Sequence, residues 1–275
     1  MSAQAAIAPS PSLPPSLLRE TAGTVAVLTL NRPAQRNSLT EALIADMHHA
    51  LADVAADTSI RAVVIAANGP AFCAGHDLKE LTAHRTDADR GRAFFAHLMH
   101  ACSAMMQAIV HLPKPVVAAV HGIATAAGCQ LVASCDLAIA SDAASFATPG
   151  VDIGLFCSTP MVALSRNVTR KQAMEMLLTG EPVAASRARE MGLINRVVPA
   201  GTEREAAIAL AQQVALKSAY TVKLGKEAFY RQAEMSLADA YRYAAEVMTQ
   251  NMLARDAEEG IKAFIEKRQP TWRDE

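Results

Sequence analysis

Two short turns carry the residue types best suited to chemistry: Phe72-Cys73-Ala74-Gly75-His76-Asp77-Leu78 and Thr125-Ala126-Ala127-Gly128-Cys129-Gln130. Each follows an apolar run of strand character, Ala62-Val63-Val64-Ile65 and Val116-Val117-Ala118-Ala119-Val120. The residues are small enough for a ligand to touch the backbone, and glycine allows the chain to bend sharply. Facing each other, the turns would aim two main-chain N–H groups at one oxygen atom, which is how an oxyanion is stabilised. Taken singly, either one reads as an ordinary tight turn.

The elements around these turns alternate between strand and helix. Thr24–Leu30 reads as a strand closed by Asn31-Arg32-Pro33, and Thr40 is an N-cap for a helix carrying Leu43, Ile44, Met47, Leu51 and Val54 at helical spacing. A strand over Arg61–Ala66 leads to the first turn. A helix over Gly91–Val110, ended by Pro113, precedes the strand that leads to the second turn. Asp136–Ala140 and Ser145–Ala147 read as further strands. Short strands that are apolar on both faces indicate α/β architecture with covered parallel strands. Beyond Ser158 the pattern turns helical, with a short strand at Asn195–Val198 and helix over most of Glu203–Lys267. No internal repeat is visible. The expected organisation is a disordered tail over 1–15, an α/β core over 16–200 and a helical region over 201–275. Met248, Met252, Ile261, Phe264 and Ile265 in that region would bury themselves on the core or on a second subunit.

Composition sets the function classes. The chain has 275 residues, half of them apolar, enough for a core without disulfide or metal support. A net charge of −1 and 4% aromatic residues offer neither the field nor the stacking surface that nucleic acid needs. The five cysteines (Cys73, Cys102, Cys129, Cys135, Cys157) are dispersed, with no CxxC or HExxH cluster, so they read as reduced core fillers and no metal is expected. The tail lacks the unbroken apolar stretch of a secretory signal and the arginines of a mitochondrial presequence, and no segment reads as long and apolar enough to span a bilayer. A cytoplasmic protein without membrane association is the expectation.

With these elements in place, a set of segments becomes recognisable. Asn37-Ser38-Leu39, Ala71-Phe72-Cys73-Ala74-Gly75, Lys114-Pro115-Val116 through His121-Gly122, Ala127-Gly128-Cys129, Thr179-Gly180-Glu181 and Glu259-Gly260-Ile261-Lys262-Ala263-Phe264 resemble the crotonase superfamily of enoyl-CoA hydratases and isomerases, in order, from about Leu18 to Arg268. Gly75-His76-Asp77-Leu78-Lys79-Glu80, Ala124 through Asp136 and Phe146 through Pro160 resemble, within it, the group called enoyl-CoA hydratase domain-containing protein 3. The resemblance implies a spiral of ββα units of the ClpP/crotonase type with a helical C-terminal oligomerisation region, assembled as trimers or hexamers. It also implies an acyl-CoA thioester as ligand, with coenzyme A as part of the substrate and no separate cofactor. By this resemblance the amides of His76 and Ala127 form the oxyanion hole and His76, Asp77, Leu78 and Lys79 line the CoA site. Lys267 matches a lysine that reaches the CoA phosphates, and Arg36 is a further phosphate candidate. Asp77 and Lys79 also read simply as a solvated pair.

The same resemblance exposes a gap. Hydration of an enoyl thioester requires groups to take a proton from water and deliver one to carbon. Hydratases of this superfamily use two glutamates, and the matching positions here hold Gln130 and Gly150. An amide cannot act as a base near neutral pH. Each lost acid or base function is worth roughly 10²–10⁴ in rate, so efficient hydration is not expected. Asp152, Ser158 and the His76 imidazole are the available substitutes; Ser158 with His76 and Asp152 would also be the set needed by a Clp-like serine hydrolase. Three readings stay open: an acyl-CoA enzyme with an altered dyad, performing isomerisation, thioester hydrolysis or slow hydration; a catalytically silent acyl-CoA binding or scaffold oligomer; and the serine hydrolase.

Overall fold

The computed structural model describes residues 14–275, so the tail expected over 1–15 lies almost wholly outside the described residues. The elements begin with β1 (Leu17–Ala22), β2 (Val25–Leu30), α1 (Glu41–Ala56), β3 (Ala62–Ala67), β4 (Ala71–Cys73), α2 (Leu78–Ala83), α3 (Arg92–His111), β5 (Val116–Val120), β6 (Ile123–Thr125) and α4 (Ala127–Ser134). They continue with β7 (Leu137–Ser141), β8 (Ser145–Ala147), α5 (Ser158–Leu164), α6 (Arg170–Thr179), β9 (Val183–Ala184), α7 (Ala185–Met191), β10 (Arg196–Val198), α8 (Glu203–Ala215), α9 (Ala219–Gln232), α10 (Leu237–Met252) and α11 (Arg255–Glu266). Short 3-10 turns lie at Pro33–Gln35, His84–Thr86 and Pro149–Ile153.

The strands form two sheets. A six-stranded sheet has the order β1-β2-β3-β5-β7-β10, antiparallel only between β1 and β2. A smaller sheet has the order β4-β6-β8-β9, antiparallel only between β8 and β9. The chain therefore winds in repeated ββα turns: β3 then β4, β5 then β6, β7 then β8, each pair followed by helix. Every turn adds one neighbouring strand to both sheets. This is the expected spiral, and it places the loops after β4, β6 and β8 side by side.

Alternation along the large sheet splits its apolar residues between two layers. Ala26, Leu28, Leu30, Val63 and Ile65 join α1, α3 and α4 in the main core. Val25, Val27, Ala62, Val64, Val117, Ala119 and Ile139 pack on Ala207, Leu210 and Ala211 of α8, which covers the other face. The Thr40 hydroxyl caps α1 as anticipated, accepting from the Leu43 amide at 3.2 Å.

Three features differ from the sequence reading. β1, β4, β6, β9, α2 and α5 were not anticipated; each is short, and its periodicity is too brief to register. Asp77 is not one of a solvated pair: its carboxylate caps α2, accepting from the Lys79 and Glu80 amides. The third concerns α3, which does have the length and apolarity of a membrane span, with a mean hydropathy of 1.4. Its Leu98, Cys102, Met105, Met106 and Ile109 sit in the main core, while its other residues are partly or fully exposed.

Candidate active site

The first turn is held by the segment before α1. Ala74 N donates to Arg36 O at 3.0 Å, Leu39 N to Gly75 O at 2.8 Å and Asp77 N to Leu39 O at 3.0 Å. These last two bonds make a parallel bridge between Leu39 and His76. They use the groups on either side of His76, so its own N–H faces away from Leu39. Among the described residues no acceptor is bonded to that N–H. Asn37, fully buried, ties the same segment to the Asn68 and Ala71 carbonyls at 2.8 Å each.

The second turn opens α4. Ala126 lies at φ 51°, ψ −118°, a conformation rare for any residue with a Cβ. It is fixed by Ala126 N donating to Ala147 O at 2.9 Å and Gln130 N donating to Ala126 O at 3.0 Å. Because ψ of a residue sets the plane of the next peptide, this angle determines where the Ala127 N–H points. Every residue of the eight-residue α4 is buried, and no side chain caps its N-terminus. The unbonded amides there carry the positive end of the helix dipole.

The two turns touch through their glycines. A Cβ on Gly75, which has φ +83°, would lie 2.9 Å from the Ala126 Cβ and 3.3 Å from Ala127 N. On Gly128 it would lie 2.2 Å from Cys73 O. Only glycine permits either approach. The backbone after β4 therefore passes directly against the start of α4, with no side chain between them.

The remaining sequence-derived residues are distributed unequally. Gln130 is in the first turn of α4, 5% exposed, with its Oε1 buried and unpartnered among the described residues. The His76 ring is largely buried with Nε2 likewise unpartnered, and burial lowers its pKa to about 4, so it is neutral at neutral pH. Gly150 has no room for a side chain: a Cβ would lie 2.9 Å from Leu155 O, 3.0 Å from Cys157 Sγ and 3.2 Å from Cys157 N. A glutamate there would require the loop to move. Asp152 is exposed and turned toward Gly180, whose ideal Cβ would lie 3.0 Å from Oδ2. Ser158 is exposed, and its hydroxyl donates to Phe156 O at 3.3 Å. No hydrogen bond among the described residues joins Ser158, His76 and Asp152, so they do not form a triad.

Asp77 is committed beyond its capping role, accepting from Ser38 Oγ at 2.9 Å and Arg32 Nη2 at 3.2 Å. Burial works to raise its pKa, but the bonds from Ser38, Arg32 and the two amides outweigh burial and hold it below the usual carboxylate value. Leu78 and Lys79 are exposed on the first turn of α2. Arg36 is exposed beside the first turn, with its carbonyl accepting from Ala74. Lys267 ends α11 in a left-handed conformation, exposed, with no bond tying it to the turns. Burial pushes the thiols of Cys73, Cys102 and Cys129 up to about 12, as expected of core fillers.

Sequence reasoning missed two residues of this region. Ala126 aims a key amide, but nothing in an Ala-Ala-Gly string reveals a positive φ. Thr148, fully buried with Oγ1 unpartnered among the described residues, lies at the third equivalent turn, after β8. Its place just beyond a short strand was the available signal. The capping role of Asp77 was also legible, since Asp77-Leu78-Lys79-Glu80 has the spacing of a capping box.

Known proteins share the sequence and fold of this chain over most of its length. The profile of the enoyl-CoA hydratase/isomerase family matches residues 20–275. The chain is 47% identical over 245 residues to enoyl-CoA hydratase domain-containing protein 3, mitochondrial, of Rattus norvegicus, covering 89% of this chain and 80% of that protein. Its Homo sapiens counterpart is 46% identical over 245 residues, 89% of this chain and 79% of that protein. A crystal structure of enoyl-CoA hydratase from Mycobacterium smegmatis superposes with a TM-score of 0.89 at 50% identity, covering 94% of this chain and 99% of that one. The crystal structure of human enoyl-CoA hydratase domain-containing protein 3 gives a TM-score of 0.89 at 44% identity, with coverage of 94% and 100%. The chain belongs to the enoyl-CoA hydratase/isomerase family of the crotonase superfamily, in the group of enoyl-CoA hydratase domain-containing protein 3.

Proposed function

We propose that this protein binds an acyl-CoA thioester with its carbonyl oxygen between the amides of His76 and Ala127, and polarises that carbonyl toward an enolate-like or tetrahedral state. The observation that carries the reading is the close approach of Gly75 to Ala127 N. Fixed donors of this kind lower a barrier because they need no reorganisation as charge develops, and each is worth about 3–4 kcal/mol. The open N-terminus of α4 acts on the same oxygen. His76, Asp77, Leu78 and Lys79 line the CoA side, with Arg36 and Lys267 as phosphate contacts. Within a single chain Arg36 lies nearer the first turn, whose Ala74 amide donates to the Arg36 carbonyl.

The reaction is not fast hydration. Gln130 offers no base, and the crowding of Gly150 by Leu155 and Cys157 means the second carboxylate cannot be supplied by a side-chain change alone. Isomerisation, thioester hydrolysis or slow hydration fit the remaining groups, with the neutral His76 imidazole as the proton carrier. That same crowding also favours a second reading, an acyl-CoA binding oligomer without turnover. The exposed Met248, Met252, Phe264 and Ile265 give such an oligomer, a trimer or hexamer, its contact surface. Five buried free thiols suit a reducing compartment. The cytosol remains the expectation, the names of the rat and human relatives make the mitochondrion the competitor, and cell fractionation decides.

The test uses crotonyl-CoA labelled with ¹³C at the thioester carbonyl. Binding is expected to move that resonance downfield, and a bound ligand with an unmoved carbonyl would refute the polarised site. Mass spectrometry of a panel of enoyl-, dienoyl- and saturated acyl-CoAs then separates enzyme from silent binder.

A further inference from the structure

The guanidinium of Arg32 holds both strands of the bridge that orients His76. Its Nη1 donates to the Ser38 carbonyl and, at 3.1 Å, to Ser38 Oγ, while Nη2 donates to Asp77 Oδ2 at 3.2 Å. Ser38 Oγ donates in turn to the same Asp77 oxygen at 2.9 Å, closing a cycle of three side chains. Ser38 precedes Leu39 and Asp77 follows His76, and Leu39 and His76 are the two bridged residues. One side chain therefore grips the two strands immediately beside their paired residues.

The arginine is itself fixed at its base. Arg32 N donates to Asn37 Oδ1 at 2.8 Å, and Asn37 N donates to Arg32 O at 2.9 Å. Through its bonds to the Asn68 and Ala71 carbonyls, Asn37 anchors this grip to the strand that leads into the turn. Arg36 at φ 51° and Asn37 at φ 54° are consecutive left-handed residues without glycine, a conformation that persists only where surrounding bonds impose it. The Arg32 and Asp77 side chains are largely shielded from solvent. A shielded ion pair returns little net stability, because desolvating both charges offsets most of their attraction. What a guanidinium does supply is direction, through planar donors in a fixed fork.

We propose that Arg32 is a positioning residue: by joining Ser38 to Asp77 it sets the direction of the His76 N–H. It acts through these two residues and not on a ligand. That this N–H serves a thioester carbonyl rests on the function proposed above; that Arg32 aims it does not. Removing the guanidinium leaves the two backbone bonds of the bridge, Leu39 N to Gly75 O and Asp77 N to Leu39 O, in place. The chain stays paired, but the peptide between Gly75 and His76 loses its lateral restraint and tilts about the bridge.

Selective ¹⁵N-histidine labelling, which gives one backbone amide signal for each of the eight histidines, tests the assignment. The signal lost in His76→Gln identifies His76. In the ligand-free protein Arg32→Met is expected to move the His76 amide signal and to leave those of His49, on α1, and His111, on α3, in place. Arg32→Lys keeps the charge but not the fork, so it is expected to move the same signal. An unmoved His76 signal in Arg32→Met, equal movement of all three signals, or a wild-type position in Arg32→Lys overturns the proposal. If Arg32→Met does not fold, Ser38→Ala, which breaks one corner of the cycle, is held to the same criterion. With the ¹³C-labelled crotonyl-CoA, Arg32→Met should cut the carbonyl displacement by at least about half and change the dissociation constant by less than about threefold, because the amide acts on charge developing at the oxygen. Weaker binding with the full displacement would overturn the positioning role. A moved amide in Arg32→Met, with no carbonyl displacement in the wild-type protein, removes the proposed function and leaves the aiming of His76 by Arg32 standing. A full wild-type displacement with an unmoved amide in Arg32→Met removes this inference alone.

Discussion

The helices α4 and α9 are held in opposite ways. All residues of α4 are buried, and its position is set by backbone contact with β4 through Gly128. No residue of α9 is fully buried. It is seated by polar contacts: Lys226 Nζ reaches Asp136 Oδ2 at 2.7 Å and the Ile109 and Lys114 carbonyls at 3.0 Å, and Tyr230 donates to Asp136 Oδ1 at 2.9 Å. The difference separates two tasks. Under the proposed function helix α4 holds an amide in place, and dense packing serves that. Helix α9 must be attached while its outward face, like those of α10 and α11, stays available, with Phe264 84% exposed. The half that carries the two turns is densely packed, and the C-terminal half leaves large apolar side chains exposed.

Cutting the polar attachment gives the largest expected effect. The side chains of Lys226 and Asp136 are 8% and 16% exposed, so Asp136→Ala leaves a buried ammonium with only carbonyl partners. It also strips the Val116 amide of its acceptor. A loss of about 3–5 kcal/mol is expected in urea denaturation. Hydrogen exchange should accelerate in α9 before α4. Equal acceleration in both helices would show that the two regions are one cooperative unit.

The packed half is broken by Gly128→Ala, which drives a methyl group into the Cys73 carbonyl. The cost is expected near the top of the overpacking range, about 3 kcal/mol, with loss of the crotonyl-CoA carbonyl shift. A variant of native stability that still polarised the carbonyl would contradict the close approach on which the site depends.

Acid should also strike the site first. His76 has a folded pKa of about 4 against an ordinary value of 6.5. Above pH 6.5 the ring is neutral folded and unfolded, so it contributes no pH dependence. As pH falls from 6.5 to 4 the unfolded chain takes up a proton that the folded chain refuses. Stability therefore falls by up to about 3 kcal/mol at pH 4. His76→Gln should flatten that limb of a stability–pH curve measured by denaturant titration, and an unchanged limb would assign it to other groups.

The large-sheet strands other than β1, together with α1, α3 and both glycine turns, were legible because each carries an apolar run or a glycine where the chain must bend. The repeat of ββα turns was reached only through the family resemblance, because it is written in backbone path. Of its three-residue second strands, β8 was read from local pattern and β4 and β6 were not. The expectation that Gln130 and Gly150 lack carboxylates needed only residue identities. That Cys157 and Leu155 fill the space beside Gly150 depends on a loop whose course no local pattern specifies. The role of Ala126 was hidden for a related reason: its conformation is held by Ala147, which comes from a separate strand, as well as by Gln130 one helical turn on.

The smallest change tests the comparison most finely. Gly225 lies inside α9, and among the described residues nothing comes within 4 Å of the position its Cβ would take. Alanine there replaces the poorest non-proline helix former with the best, so an isolated subunit should gain about 1 kcal/mol. The same substitution in α4, at Gly128, is expected to cost about three times as much, because one helix faces solvent and the other faces a carbonyl. Thermal denaturation at low protein concentration, paired with sedimentation analysis, reads both quantities. A gain in stability with unchanged assembly places Gly225 outside any subunit contact. A gain in the dilute chain accompanied by weaker assembly would put the Gly225 face of α9 inside the contact and make glycine there a requirement of the oligomer. A loss of stability in the dilute chain would mean that α9 is packed more like α4 than its exposure indicates, and the division between the two halves would fail.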